Sequence, residues 1–275
     1  MTASHRPPQE LYLELLKRLL TRTLFEEAQQ PMRQPAPMGV GVGQRIRRMI
    51  AYLGRLRRVK YEPDARAEGR DWPQDAETMI GLKRMDNIQA CVIDVLRHDV
   101  PGDLIETGVW RGGATIFMRA ILEAYADPER VVWVADSFQG LPEPDAEHYP
   151  WDRGVDFSRF DHLVVSLEDV KANFERYGLL DARVRFLPGW FRDTVPGAPI
   201  ERLSVLRVDG DLYESTMVSL RSLYDKVSVG GYVIIDDYGG LPVCKAAVDD
   251  FRAEAGVTEP IQHVDWTGVF WQRRG

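Results

Sequence analysis

From about residue 79 to the C-terminus, short apolar runs alternate with segments of helical periodicity, and this alternation constrains the fold more than any other feature of the chain. Strands that alternate with helices form a parallel sheet with right-handed crossovers. The chain is therefore predicted to be an α/β protein whose ligands bind at the carboxyl ends of its strands. Strands are expected at 103–107, 131–136, 184–187, 203–209, 231–236, 260–265 and 267–272, and helices at about 79–98, 114–126, 167–177, 214–227 and 242–255.

The first 70 residues follow a different pattern, and we predict an N-terminal helical extension with a flexible connector ahead of a main domain at 71–275. Pro and Gly dominate 31–44, which indicates the connector. The segment 45–60 combines an apolar face with seven basic residues and is predicted to be a solvated or partner-packed helix. A short amphipathic helix is expected from Gln9 to about Thr23, and its apolar residues at helical spacing are Leu11, Leu15, Leu16 and Leu19.

Composition and charge exclude several classes of protein. Apolar residues make up 44% of the chain, but no run of 18 is long enough to cross a bilayer, so a membrane protein is not expected. The net charge of −7 argues against broad nucleic-acid binding. Cys91 and Cys244 have no CxxC spacing, and the N-terminus lacks the pattern of a secretory signal, so the cytoplasm is the expected compartment.

Glycines and one acid follow the first two strands, where a nucleotide-like ligand is expected. Gly108 allows a tight turn, and Gly112 and Gly113 open a helix N-terminus that favours a carboxylate. The spacing G-x-x-x-G-G lacks the closely placed second glycine that a pyrophosphate needs, but it suits a methionine tail. Asp136 ends the next strand, where its carboxylate can accept both hydroxyls of a ribose. An ordinary glycine-containing turn remains the alternative.

Four acids follow the fourth and fifth strands: Asp209, Asp211, Asp236 and Asp237. Because adjacent parallel strands end at the same edge of a sheet, these carboxylates converge, and their repulsion is costly unless a cation neutralises it. An all-oxygen donor set favours Mg²⁺. The alternative is that these acids are solvated caps of the following helices, and Asp237 fits that reading best.

Six motifs of the chain resemble those of a known family, and they are DWPQDAETMIGLKRMDNIQ, ETGVWRGG, VADSFQGLP, RVDGDLYEST, GGYVIIDDYGG and CKAAVDDF. Together they resemble the macrocin O-methyltransferase family, whose metal-dependent members methylate deoxysugar hydroxyls of macrolide and aminocoumarin antibiotics. The resemblance spans about 71–275 and is specific. It implies a class I methyltransferase Rossmann-like fold, with a seven-stranded, mostly parallel sheet and helices on both faces.

The resemblance also implies the cofactors and the site residues. S-adenosyl-L-methionine and Mg²⁺ are the expected cofactors, with Asp209, Asp236 and Asp237 as metal ligands. Asp211 is then free to act as the catalytic base, although spacing alone leaves open which of Asp209 and Asp211 is ligand and which is base. The expected contacts to S-adenosylmethionine are Thr78, Met79, Glu106, Thr107, Gly108, Val109, Trp110, Asp136, Ser137, Phe138, Ser166, Gly189 and Trp190.

The expected partner is a small-molecule glycoside acceptor, and a homo-oligomer is expected. The long segments 61–75 and 141–163 are predicted to close over the acceptor as lids. A catechol-type phenolic methyltransferase is an alternative, because Trp72, Tyr149 and Trp151 suit an aromatic ring equally well. A nicotinamide-dependent oxidoreductase, disfavoured by the glycine spacing, and a non-catalytic adenosyl-binding module are the other two alternatives.

Overall fold

The computed structural model describes residues 6–25 and 62–275. The predicted connector at 31–44 and the predicted basic helix at 45–60 lie outside the described residues. None of the described helices is long and apolar enough to cross a membrane.

Helices and strands alternate through the main part of the described chain. The strands are β1 (Asp103–Thr107), β2 (Val132–Asp136), β3 (Val184–Pro188), β4 (Leu203–Val208), β5 (Val227–Ile235), β6 (Gln262–His263) and β7 (Val269–Gln272). The helices are α1 (Pro8–Leu20), α2 (Pro63–Ala67), α3 (Leu82–Arg97), α4 (Gly113–Ala124), α5 (Leu167–Arg176), α6 (Phe191–Thr194), α7 (Tyr213–Leu223) and α8 (Pro242–Glu254), with short 3-10 helices at Pro150–Asp152, Asp161–Leu163 and Tyr224–Lys226.

The strands form one seven-stranded sheet in the order β3-β2-β1-β4-β5-β7-β6. Strands β1 to β5 pair in parallel, and β7 pairs antiparallel with both β5 and β6. The predicted fold class is therefore confirmed. Strand β5 begins at Val227 and not at the predicted 231, because Gly230 and Gly231 lie within the strand and do not end it.

Two hydrophobic clusters cover the two faces of the sheet. Leu104 of β1 packs in the cluster formed with α1, α3, α4 and α5, whereas the next residue, Ile105, packs in the cluster formed with α7 and α8. This alternation is what a strand with helices on both faces requires. It places the carboxyl ends of the parallel strands, and the residues that follow them, at one edge of the sheet.

Helix α1 is amphipathic as predicted, but its buried face differs from the predicted one. Leu13, Leu16 and Leu20 are buried against the core, while Leu11 and Leu15 are each 51% exposed. The leucines of this helix lie on several of its faces, so periodicity alone does not show which of them contact α3 and α4. The helix is tied to the domain by the backbone of Glu77, whose amide donates to the carbonyl of Leu20 at 3.0 Å.

Candidate cofactor and metal site

A cavity of about 440 Å³ lies at the carboxyl edge of the sheet, where the strand order reverses between β1 and β4. A reversal of this kind is where open α/β sheets bind their ligands. Most of the residues predicted from sequence contribute to the cavity wall. They are Thr78, Met79, Glu106, Gly108, Val109, Trp110, Asp136, Ser137, Trp190, Asp209, Asp211, Asp236 and Asp237.

Four predicted cofactor residues do not line the cavity, because each is placed by a structural role of its own. Thr107 is fully buried inside the sheet. Phe138 packs against Phe186, with ring centroids 6.3 Å apart. Ser166 caps α5 by accepting a hydrogen bond from the amide of Asp169 at 3.1 Å. Gly189 donates its amide to the carbonyl of Asp136 at 2.9 Å.

The turn after β1 needs glycine at Gly108. Its φ is +91°, and a Cβ atom there would lie 1.7 Å from the carbonyl oxygen of Asp209. Gly112, with φ +84°, is the N-cap of α4. The glycine turn therefore lies directly against the acidic residues that follow β4, and both line the same cavity.

Asp136 organises this turn. Its Oδ2 accepts hydrogen bonds from the amides of Val109 at 2.8 Å and Trp110 at 3.2 Å, and its Oδ1 accepts from the amide of Phe138 at 2.8 Å. Burial raises the pKa of the Asp136 carboxyl, although these backbone donors oppose the shift. Each carboxylate oxygen has two lone pairs, so Oδ2, which already accepts from two amides, is filled, whereas Oδ1 retains capacity to accept a further hydrogen bond from a ligand.

Asp209, Asp236 and Asp237 present oxygen atoms that all lie within 4.8 Å of one another. Burial, followed by repulsion from Asp236, raises the pKa of Asp209 to about 6. Burial, followed by repulsion from Asp211, raises the pKa of Asp237 well above its usual value. Both shifts report a set of carboxylates that is costly to ionise together.

The residues present fit a hard divalent cation. All three converging donors are carboxylate oxygens, the ligands that Mg²⁺ prefers. The Oδ2 atom of Asp237 is buried without a hydrogen-bond partner among the described residues, which a ligated cation would remedy. This pairing of an orphaned oxygen with a convergent donor set favours a cation site over a set of helix caps.

Asp211 is not one of the three converging acids. It lines the cavity and has a left-handed backbone with φ +56°, a conformation that Asp tolerates better than most residues. Burial, followed by repulsion from Asp209, raises the pKa of Asp211 to about 8. A carboxylate with that proton affinity suits proton transfer near neutral pH.

Sequence reasoning missed two buried arginines at this edge. Arg207 of β4 is 1% exposed and Arg84 of α3 is 6% exposed, and both form ion pairs with Asp236. One signal was available, since Arg207 occupies a position inside the otherwise apolar run LSVLRV. A buried arginine requires an acidic partner, which Glu106 of β1 and Asp236, directly after β5, supply.

Both predicted lid segments contribute to the cavity wall. Trp72 comes from the first segment, with φ +35° and its indole N–H donating to the carbonyl of Gly69 at 2.9 Å. Residues from 141–163 that line the cavity are Leu141, Pro142, Phe157, Phe160, His162 and Leu163. Of the aromatic residues expected beside the acceptor, Tyr149 and Trp151 lie elsewhere: Tyr149 packs against Tyr213, and Trp151 is 54% exposed.

Comparison with known proteins identifies a family that covers nearly the whole chain. A family model described as macrocin-O-methyltransferase (TylF) matches residues 9–273, so the similarity extends well ahead of residue 71. The 8-demethyl-8-(2,3-dimethoxy-alpha-L-rhamnosyl)-tetracenomycin-C 4'-O-methyltransferase of Streptomyces olivaceus is 51% identical over 267 residues, 96% of this chain and 93% of that protein. The demethyldecarbamoylnovobiocin O-methyltransferase of Streptomyces niveus is 50% identical over 264 residues, 96% of this chain and 93% of that protein.

Further similarity comes from a third enzyme and from solved structures. The mycinamicin III 3''-O-methyltransferase of Micromonospora griseorubida is 45% identical over 267 residues, 96% of each chain. The structure of the O-methyltransferase NovP superposes with a TM-score of 0.85 at 48% identity, over 97% of this chain and 100% of that one. The calicheamicin methyltransferase CalS11, at 20% identity and a TM-score of 0.57, shares the fold.

Proposed function

The chain belongs to the macrocin O-methyltransferase family, and on that premise we propose that it transfers the methyl group of S-adenosylmethionine to a sugar hydroxyl of a glycosylated natural product, with the help of Mg²⁺. The observation that carries this proposal is the convergence of three carboxylates in the same cavity as the glycine turn. One half of the cavity suits the cofactor and the other half suits an acceptor hydroxyl beside a cation.

The cofactor half is built by β1 and β2. Gly108 lines the cavity with its backbone, and the buried N-terminus of α4 favours the methionine carboxylate. Asp136 lies at the end of β2, where Oδ1 of its carboxylate can accept a ribose hydroxyl while Oδ2 holds the amides of Val109 and Trp110. The Asp136 side chain therefore shapes the turn and is also placed to bind the ribose.

The acceptor half is built by β4 and β5. Asp209, Asp236 and Asp237 would hold Mg²⁺, which supplies a Lewis acid that lowers the pKa of a sugar hydroxyl and offsets the repulsion among the carboxylates. We assign Asp211 as the base, because it lines the cavity but is not one of the three converging ligands. The hydroxyl proton passes to the Asp211 carboxylate as the oxygen bonds to the methyl carbon and the bond from that carbon to sulfur breaks. Holding the two reactants in line contributes much of the rate.

The first experiment is isothermal titration calorimetry of S-adenosylhomocysteine into the purified protein, with and without Mg²⁺. We expect saturable binding by the wild type and its loss in Asp136→Ala, because that variant lacks both the ribose acceptor and the support of the turn. Absence of binding by the folded wild type would overturn the proposal.

The acceptor class is tested with radiolabelled S-adenosylmethionine and three acceptors. Demethyldecarbamoylnovobiocin and mycinamicin III represent sugar hydroxyls, and catechol represents a phenol. We expect a methylated glycoside and a rate that falls when EDTA removes the metal. Methylation of catechol without methylation of either glycoside would assign the enzyme to the phenolic class, and a rate unchanged by EDTA would refute the role of Mg²⁺.

A further inference from the structure

Arg207 lies at the centre of the acidic site. It stands directly opposite Glu106 in the register of β4 on β1, so both side chains project from the same face of the sheet. The Arg207 guanidinium donates to Glu106 Oε1 at 2.5 Å, to Asp209 Oδ2 at 2.8 Å and to Asp236 Oδ1. One fully buried cation therefore bridges an acid of the cofactor half and two acids of the metal half.

Arg84 completes the arrangement from a helix. It lies in the first turn of α3 and donates to Asp236 Oδ2, the oxygen that Arg207 does not contact, and to Asp265 at 2.9 Å. Its side chain is packed closely, since a Cβ atom on Gly268 would lie 3.0 Å from the Arg84 Cδ atom. Both oxygens of Asp236 are consequently held by guanidinium groups.

Contacts of this kind orient a carboxylate and still leave it able to bind a metal ion. Each carboxylate oxygen has two lone pairs, so an oxygen that accepts from arginine can still bind a cation. The guanidinium is planar, stays charged, and spans several acceptors in a fixed geometry, which the point charge of lysine does not. The groups behind metal ligands fix the orientation in which those ligands meet the ion.

We propose that Arg207 and Arg84, together called the arginine clamp, are positioning residues that hold Asp209 and Asp236 ready for the cation, and that Arg207 couples metal binding to cofactor binding through Glu106. The inference rests on the proposed function, because it takes the three aspartates as ligands of Mg²⁺. Coupling requires a group in each half of the site. Glu106 lines the cavity, and its Oε2 has no hydrogen-bond partner among the described residues. Either ligand that orders the clamp therefore leaves less ordering for the other.

Arg207→Lys tests the proposal, because it keeps the positive charge and removes only the planar guanidinium that spans several acceptors. Calorimetry of the full-length protein measures the affinity for Mg²⁺ with and without S-adenosylhomocysteine, and the affinity for S-adenosylhomocysteine with and without Mg²⁺. In the wild type we expect each ligand to tighten the other by about fivefold or more. In Arg207→Lys we expect Mg²⁺ to bind about tenfold more weakly and the coupling between the two ligands to disappear.

Two further variants distinguish a specific effect of the arginine clamp from the general effect of replacing an arginine with lysine. Arg84→Lys is expected to weaken Mg²⁺ binding but to keep the coupling, since Arg84 does not contact Glu106. Arg221→Lys is the matched control, because Arg221 contacts both oxygens of Glu254 at 2.9 and 2.8 Å on the outer surface of α7 and α8. It should leave both affinities and the coupling unchanged.

The outcomes distinguish the clamp from the function on which it rests. A wild type that does not bind Mg²⁺ refutes the metal site and the clamp together. A wild type that binds both ligands, beside an Arg207→Lys protein with equal affinities and equal coupling, refutes the clamp alone. Urea unfolding of each variant separates an effect on stability from an effect on binding. A residue with a purely structural role lowers the free energy of unfolding when it is replaced, while the folded fraction retains wild-type affinities.

Discussion

At the scale of single residues, the site concentrates unusual backbone conformations. Trp72, Trp110, Phe138 and Asp211 all have positive φ although none is glycine, and three of them line the cavity. Strained residues of this kind cluster where a fold is shaped around a ligand. Gly108 belongs to the same set of constraints, because its left-handed turn lies against the carbonyl of Asp209.

Gly108→Ala should therefore be severely destabilising. The new Cβ would lie 1.7 Å from a backbone oxygen, which has no flexible end to move aside. We expect a loss of about 3 kcal/mol in the free energy of unfolding, measured with urea. Gly154→Ala is the matched control: its φ is also positive, at +83°, but nothing lies within 4 Å of its Cβ position, so it should lose only about 1 kcal/mol of conformational strain. Equal losses would show that the contact with Asp209 does not matter.

The roles of Asp209 and Asp211 can be separated by substitution. Asp211→Asn should lower kcat by about 10²-fold or more, because general-base catalysis is lost, while Mg²⁺ and S-adenosylhomocysteine still bind. Asp209→Asn should weaken Mg²⁺ binding, because a carboxylate ligand is replaced by a neutral amide. Calorimetry and a methyl-transfer assay on both variants decide the assignment, and the opposite pattern would exchange the two roles.

At the scale of elements, α1 behaves as part of the core. Leu13, Leu16 and Leu20 belong to the same hydrophobic cluster as α3 and α4. The loop after α1 is fastened in addition by Arg22, whose Nε donates to the carbonyl of Asp75 at 2.7 Å. The helix therefore stabilises the segment at 75–79, whose Thr78 and Met79 line the cavity.

Leu16→Ala tests this packing against an internal control. Leu16 is 4% exposed, so its truncation should cost about 3 kcal/mol in the free energy of unfolding. Leu15, one residue away in the same helix, is 51% exposed, and Leu15→Ala should change stability by less than about 0.5 kcal/mol. Similar small losses for both variants would mean that α1 is not integral to the folded domain.

An ion pair fastens α4 to the segment ahead of β3 and predicts a dependence on pH. The Arg119 guanidinium bonded to Asp181 holds the pKa of that carboxyl below its ordinary value. A carboxyl with a lowered pKa in the folded state contributes stability above its unfolded pKa of about 4 and loses it as pH falls through the folded value. Asp181→Asn should thus lower the urea midpoint at about pH 6, and the difference from wild type should shrink below about pH 4. Asn retains the acceptor for the amide of Arg183, so a difference independent of pH would exclude the ion pair as its cause.

At the scale of the whole molecule, ligands should stabilise the protein, because acidic side chains that line its cavity repel one another. Two buried arginines, Arg84 and Arg207, lie beside these carboxyls. Seven carboxyl side chains line the cavity, and they are Glu106, Asp136, Asp209, Asp211, Glu214, Asp236 and Asp237. A cation that binds the folded state alone shifts the unfolding equilibrium in proportion to the logarithm of its concentration.

Mg²⁺ at a hundredfold excess over its dissociation constant should stabilise the protein by about 2.7 kcal/mol. Scanning calorimetry should show a higher Tm with Mg²⁺, a further rise with S-adenosylhomocysteine, and a return to the starting value after EDTA and dialysis. Asp237→Asn should lose the response to Mg²⁺ and keep the response to S-adenosylhomocysteine. A rise of equal size in that variant would place the bound cation elsewhere.

Patterns among neighbouring residues were sufficient to predict the strands of the sheet and the edge at which its acidic residues lie. The short apolar run of β2 and the helical period of α3 are properties of neighbouring residues, and parallel strands must bring Asp136, Asp209 and Asp236 to one edge whatever else packs around them. The glycine of the first turn was predictable for the same reason, since a tight turn at a strand end demands it. The closure of the predicted lids and the predicted homo-oligomer remain predictions.

Tertiary structure alone decided which side chains meet. The pairing of Arg207 with Glu106 depends on the register of β4 on β1, and Arg84 reaches Asp236 only because α3 packs on that face. The burial of Leu13 instead of Leu11, and the placement of Phe138 in the core, likewise follow from which neighbours occupy the space. Sequence periodicity determines the secondary structure and the edge at which each functional group lies, because both depend on adjacent residues. Contacts between groups about 100 residues apart, such as Glu106 and Arg207, depend on packing, which no local pattern contains.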